Sequence, residues 1–245
     1  MTELIEGRNP VIEALKAGRP LNKILLAENI GRHSSIASIL QLARSGKVPV
    51  EYVPRQVIDE ASSTSVHQGV LAYAAVKGYV GLDDLLGISM EKREPPLYCI
   101  LDGIEDPHNL GAILRTAEAS GTHGIIIRSR RAAGLTAAVT RTSAGAVEYV
   151  PVARVSNISQ AITTLKSNNV WVYGIDAAAS MTYTKLDFKV PAAVVVGGEG
   201  SGISELVKKN CDILARIPMK GQITSLNASV AAALALYEAF RQRSW

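Results

Sequence analysis

The sequence predicts an α/β protein: a C-terminal doubly wound parallel sheet preceded by a smaller α/β unit. Two observations carry this. In the C-terminal part, short apolar runs at 97–101, 124–127, 170–174 and 192–196 alternate with helical stretches at 111–119, 156–167 and 204–210, the order that builds parallel sheets. The runs are apolar throughout instead of alternating with polar residues, as strands covered by helices on both faces are.

The elements follow in order. Within residues 1–76, Pro10 opens a helix at 10–17 with Val11, Ile12 and Leu15 on one face, and 23–27 is a short strand. A helix at 34–45 turns Ile36, Ile39, Leu40 and Ala43 inward, and strand 50–53, short helix 55–61 and strand 70–76 complete the unit. Residues 77–96 hold Gly78, Gly81, Asp83, Asp84, the charged run Glu91 to Glu94 and the pair Pro95-Pro96. They read as an interdomain linker with room for a helical turn around 82–86. The second domain then runs over 97–245, ending in a long Ala-rich helix.

Composition excludes several classes of function. A chain of 245 residues with 47% apolar and 20% charged side chains can bury a core without staples. Aromatics make up only 5%, so base stacking on aromatic platforms does not dominate any nucleic-acid binding. The net charge is +4, which suits an anionic partner without demanding one. Residues 1–76 carry 8 basic and 7 acidic side chains, and residues 97–245 carry 15 and 11, so the excess belongs to the C-terminal part. Cys99 and Cys211 stand alone, with no CxxC and no Cys/His cluster. Disulfide scaffolds and metal sites are poor readings, and a reducing cytoplasm is the expected location. No segment reaches the roughly 18 uninterrupted apolar residues of a membrane helix, and MTELIEGRNPVIEAL has no apolar signal core.

In a doubly wound sheet, ligands bind beyond the carboxyl ends of the strands. Three loops there carry unusual residues. In DGIEDPHNLGAILR, residues 102–115, Asn109, Gly111 and Arg115 have the spacing N-x-G-x-x-x-R. Arg115 falls one helical turn past Gly111, so both could face one cleft. VVVGGEGSG, residues 194–202, has four glycines around Glu199, which lets backbone approach a ligand closely. It fails both the dinucleotide fingerprint, which needs Gly where Ile203 stands, and the phosphate-loop pattern, which needs Lys after the last glycine. The third loop, from Pro218 to Asn227, sets Ser225 and Asn227 before the helix run from Ala228. Alone, that is a capped helix; its free N–H groups also suit a polar ligand. His33, His67, His108 and His123 are scattered. His67 reads as a structural hydrogen-bonder, and His108 as a solvent-facing loop residue.

Taken together, the motifs DPHNLGAILRTAEASG, VVVGGEGSGIS and IPMKGQITSLNASVAAALALYEAFRQR resemble the SpoU (TrmH-like) family of SPOUT RNA methyltransferases. They stand in the family's order and cover most of 97–245. The N-terminal GRNPVIEAL and VHQGV resemble the L30e-like substrate-binding domain of the rRNA branch, in particular the 23S rRNA guanosine-2′-O-methyltransferases. The resemblance implies a deep trefoil knot, a homodimer, S-adenosylmethionine as cofactor, and 2′-O-methylation of an RNA ribose.

By position it also implies roles. Arg115 matches the arginine held to take the 2′-OH proton. That demands much of a guanidinium, and a milder role is to bind a phosphate and orient the ribose. Asn109, Glu199, Ser225 and Asn227 match the remaining polar catalytic set. Gly197, Gly198, Ile217, Leu226 and Asn227 match positions that hold the cofactor. Arg128, Arg130, Arg131 and Arg141 are expected beside the cleft as phosphate-binding RNA contacts. The alternatives are a tRNA or resistance-type rRNA 2′-O-methyltransferase, or a non-catalytic RNA-binding or ribosome-assembly protein on the same fold.

Overall fold

The computed structural model describes residues 2–31, 33–62 and 66–244. In chain order the first elements are β1 (Thr2–Glu6), α1 (Arg8–Lys16), β2 (Leu21–Ala27), α2 (Ser34–Ser45), β3 (Val50–Val53), α3 (Arg55–Ala61) and β4 (Val70–Ala75). There follow α4 (Leu82–Glu91), β5 (Leu97–Asp102), α5 (Pro107–Ala119), β6 (Gly124–Arg128), α6 (Ala137–Thr142), β7 (Val152–Val155) and α7 (Ile158–Ser167). The chain closes with β8 (Trp171–Ile175), β9 (Met181–Thr182), β10 (Ala192–Gly197), α8 (Glu205–Asn210), β11 (Ile213–Arg216) and α9 (Ala228–Ser244). Among the described residues, no helix is long and apolar enough to cross a membrane.

Packing divides the chain into two units, one of Met1–Gly78 with Gly134–Tyr149 and one of Tyr79–Ala133 with Val150–Trp245. The first is built on a four-stranded sheet of order β1-β4-β2-β3, in which β4 runs antiparallel to both neighbours and β3 parallel to β2. Ile24, Leu26, Val70 and Ala72 bury one face with Val11 and Ile12 of α1 and Ile36 and Ile39 of α2. Leu25, Ala27 and Leu71, the alternate residues, pack with Ile58 of α3 on the other. Helix α6 joins this unit, with Thr140 Oγ1 donating to Glu3 Oε1 at 3.1 Å.

The second unit holds a seven-stranded sheet of order β7-β6-β5-β10-β8-β11-β9, and its strand pairs are parallel. Tyr98 and Ile100 of β5 and Ala193 and Val195 of β10 face a core completed by α4, α7 and Val207 of α8. Helices α5 and α9 pack together, with α9 against β10. Both faces are therefore covered, which explains the unbroken apolar runs.

Two departures from the sequence expectation bear on the division of the chain. The segment 77–96 holds a full helix, α4, whose Leu85 and Leu86 are buried in the sheet core; its Asp and Gly content masked an apolar stripe. Residues 134–149 belong with the N-terminal unit although in sequence they lie between β6 and β7 of the seven-stranded sheet.

Candidate functional site

Two helix starts and the end of one strand converge. Asp106 caps α5 by accepting the His108 N–H at 2.9 Å, Pro107 occupies the first turn, and this places Asn109 in that turn, buried. Asn227 caps α9: its Oδ1 accepts from Ser229 N at 2.9 Å and Ser229 Oγ at 2.6 Å. With the oxygen so committed, the amide nitrogen donates to Glu199 Oε1 at 2.6 Å and to Asn109 Oδ1 at 2.9 Å. Asn109 Nδ2 donates to the same Glu199 oxygen at 3.1 Å. Two amides thus orient one carboxylate, and such charge-assisted bonds are the stronger kind.

Glu199 rides on the loop after β10, which is pressed against the loop after β5. Gly198 N donates to Asp102 O at 2.9 Å, and a Cβ on Gly198 would lie 2.3 Å from Gly103 O. A Cβ on Gly197 would lie 2.0 Å from the Gly202 carbonyl carbon. Only glycine lets the backbone pass so closely. Asp102 secures the far side of the loop, its Oδ2 accepting from Ser204 N at 2.9 Å and Ser204 Oγ at 2.7 Å.

Beside this cluster lies a pocket of about 600 Å³, within the usual size of a small-molecule site. Its walls are Val196, Gly197, Gly198 and Glu199 at the end of β10, Ile175 to Ala177 at the end of β8, and Ile217 and Met219 after β11. Thr224, Ser225, Leu226, Asn227, Ala228 and Ala231 close it. Of the sequence-expected residues, Gly197, Gly198, Glu199, Ile217, Ser225, Leu226 and Asn227 are brought together here, with Asn109 hydrogen-bonded to the cluster. Among the described residues, no group of three or more His, Cys, Asp or Glu could hold a metal.

Arg115 lies elsewhere. It is exposed on α5 and does not line the pocket, so it does not share a cleft with buried Gly111. Its neighbours Ala112 and Thr116 instead form a shallow apolar groove with Val230, Ala233, Leu234 and Tyr237 of α9. Arg128, Arg130 and Arg131 line a depression of about 580 Å³ with Ser129 and Ser156. Arg128 Nε is buried there without a hydrogen-bond partner among the described residues, a donor suited to an anion. Arg141 sits on α6 in the N-terminal unit, 3.5 Å from Glu6 Oε2, and a fully buried carboxylate needs a cation nearby.

His67 is the structural residue its context suggested: Nδ1 accepts from Gly69 N at 3.1 Å and Nε2 lies 2.8 Å from Asp59 Oδ1. Sequence reasoning passed over Asp176 and Lys208, which also line the pocket. The signal was available, since Asp176 directly follows β8 at a carboxyl strand end.

Comparison with known proteins places this geometry. A model described as the SpoU rRNA Methylase family matches residues 96–237, and one described as RNA 2′-O ribose methyltransferase substrate binding matches residues 4–80. The chain is 46% identical over 242 residues to a Bacillus subtilis protein named for the TrmH family of tRNA/rRNA methyltransferases, covering 99% of this chain and 96% of that one. A Staphylococcus saprophyticus protein of the same designation is also 46% identical over 242 residues, with the same coverage. Among solved structures, the SpoU methyltransferase AviRb from Streptomyces viridochromogenes in complex with AdoMet superposes with a TM-score of 0.82 at 26% identity, covering 99% of this chain and 91% of that chain. An AdoMet-bound rRNA methyltransferase from Sinorhizobium meliloti gives 0.80 at 27% identity, covering 98% and 87%.

Proposed function

The chain belongs to the SpoU rRNA methylase family, and from that premise we propose that it methylates the 2′-oxygen of an RNA ribose with S-adenosylmethionine, the target being a guanosine of 23S rRNA. The observation that carries this reading is the Asn109–Glu199–Asn227 cluster at the edge of the glycine-walled pocket. The pocket fits the cofactor: its volume suffices, Ile217, Leu226 and Ala231 offer apolar walls, and Gly197 and Gly198 line it with bare backbone. When bound, S-adenosylmethionine supplies a methyl group activated by its sulfonium charge.

The residues of the chain then do the rest by position. Glu199, held by two amides, presents a fixed negative charge toward a cationic ligand. Ser225 and Asn227 offer polar groups at the mouth. Arg115 binds an RNA phosphate and orients the ribose. Because Arg115 stands off its own pocket, it serves the pocket of a second copy. The exposed apolar residues Val230, Leu234, Tyr237 and Phe240 of α9, beside Arg115, form the face of that homodimer. The segment from β10 through α9 is the knotted part of the family fold, and tight glycine packing at 197–203 accords with it. Arg128, Arg130 and Arg131 take the RNA backbone, and the N-terminal unit, L30e-like in this reading, takes the folded substrate.

The names of the Bacillus and Staphylococcus relatives cover tRNA as well as rRNA, which keeps a tRNA ribose as the second reading. Mapping 2′-O-methylation across rRNA and tRNA from a strain lacking this protein separates the two. Loss of one 23S rRNA guanosine methyl group is expected. Loss at a tRNA position alone supports the second reading, and an unchanged methylation map sinks both.

A further inference from the structure

Across the pocket from the amide-bound Glu199 lies a second carboxylate. The sheet order places β8 next to β10 and away from β5, so the residue after β8 stands one strand spacing, about 4.8 Å, beyond the loop that carries Glu199. That residue is Asp176. Its Oδ2 lies 2.7 Å from Lys208 Nζ and its Oδ1 accepts the Ala178 N–H at 2.8 Å. Its own N–H is fixed to Ala215 O at 2.9 Å. The hydrogen bond from Lys208 holds its carboxyl below the usual carboxylate range, against the opposing effect of burial. Asp176 is therefore ionised and rigidly aimed, its side chain only 12% exposed.

Each carboxylate oxygen has two acceptor sites. Lys208 and Ala178 use one apiece, which leaves two for a ligand. Charge decides what kind of ligand group fits. Lys208 already touches Asp176 and is shared with Glu205 at 3.2 Å, so an ammonium brought to the same Asp176 carboxylate would meet a like charge in contact. Neutral donors avoid that cost. Glu199 Oε1 is already engaged by two amides, so Asp176 offers the pocket's other fixed anionic acceptor.

We propose that Asp176 is a further cofactor-binding residue, accepting hydrogen bonds from the ribose hydroxyls of S-adenosylmethionine, with Lys208 as its positioning partner. This rests on the cofactor reading above. The probe is S-adenosylhomocysteine, titrated by calorimetry against the whole protein. Asp176→Asn keeps the shape and removes the charge, and its affinity is expected to fall about 10–100-fold, the usual worth of hydrogen bonds to a charged group. Wild-type protein should lose a similar factor for the 2′,3′-dideoxy analogue, and Asp176→Asn should bind the two ligands within about threefold of each other. Unchanged affinity of Asp176→Asn for the parent ligand overturns the proposal. So does a wild type that binds the dideoxy analogue as well as the parent, a comparison that stands even if the variant fails to fold. If the Asp176→Asn loss disappears with S-inosylhomocysteine, the donor is the adenine amine and the hydroxyl assignment fails. A folded wild type with no affinity for S-adenosylhomocysteine removes the cofactor reading itself, a result distinct from the others.

Discussion

Asn227 Nδ2 lies 2.6 Å from Glu199 Oε1 while the oxygen of the same amide caps helix α9. One side chain therefore couples the start of the C-terminal helix to the glycine loop, and its two ends have opposite polarity requirements. Asn227→Asp separates them. Asp caps helices as well as Asn does, so the start of α9 should be kept. Two carboxylates then meet at hydrogen-bond distance, and S-adenosylhomocysteine affinity at pH 8 should drop at least about tenfold. A variant with native affinity would show that the amide nitrogen does not organise the pocket.

Gly198→Ala tests the close approach of two loops. The added methyl would sit 2.3 Å from Gly103 O, which is backbone and cannot swing aside. Overpacking of this kind costs about 3 kcal/mol, a fall of roughly 6–12 °C in Tm for a chain of this size. Because β5 and β10 are otherwise unaffected, the distortion should fall on the loop, and ligand affinity should fall with stability. A variant with native Tm and native affinity would mean that the loops part more readily than their packing implies.

Arg115→Ala should abolish methyl transfer, by about a hundredfold or more, while S-adenosylhomocysteine affinity stays within about threefold. The reason is placement: Arg115 is exposed on α5 and off its own pocket. If it serves a second copy, mixing Arg115→Ala with Glu199→Gln subunits restores activity, since each hybrid dimer holds one pocket with both residues intact. No recovery in exchanged subunits would place Arg115 in service of its own pocket.

The sequence carried the sheet and the pocket further than the boundaries. Apolar runs at 97–101 and 192–196 became β5 and β10 because strands buried on both faces need no polar residues. Asn109, Glu199 and Asn227, separated by as many as 118 positions, stand beyond strand ends, and the family resemblance is what joined them as one site in the sequence. Helix α4 was obscured by Asp83 and Asp84, which favour its N-terminus instead of opposing a helix. The pairing of Arg141 was hidden for a different reason: proximity in sequence to Arg128 and Arg131 says nothing about Glu6, the buried carboxylate 3.5 Å from it. The strand β11 (Ile213–Arg216), four residues long, has no pattern of its own; it is legible only from its partner β8.

The placement of Gly134–Tyr149 gives the last expectation. Arg19 lies between two carboxylates, with Nη2 2.6 Å from Glu3 Oε2 and Nη1 2.6 Å from Glu148 Oε1, and all three side chains are at most 10% exposed. It also donates to Ala75 O, and Lys77 Nζ donates to Glu148 O at 3.0 Å. Removing the cation leaves two buried carboxylates with Lys77, 3.7 Å from Glu148 Oε2, to offset them, so Arg19→Met should cost about 3–5 kcal/mol. The same network means that residues 1–78 do not contain everything their own unit needs. Cut from the chain, Arg19 loses Glu148, and Glu3 loses the Thr140 hydroxyl. A fragment of residues 1–78 should therefore show no cooperative thermal transition by circular dichroism, although residues 4–80 match a substrate-binding model on their own. Adding a peptide of residues 134–149 should restore a transition, and restore less of it when Glu148 is replaced by Gln. A fragment that melts cooperatively at the temperature of the full chain would show that the network decorates the unit instead of completing it.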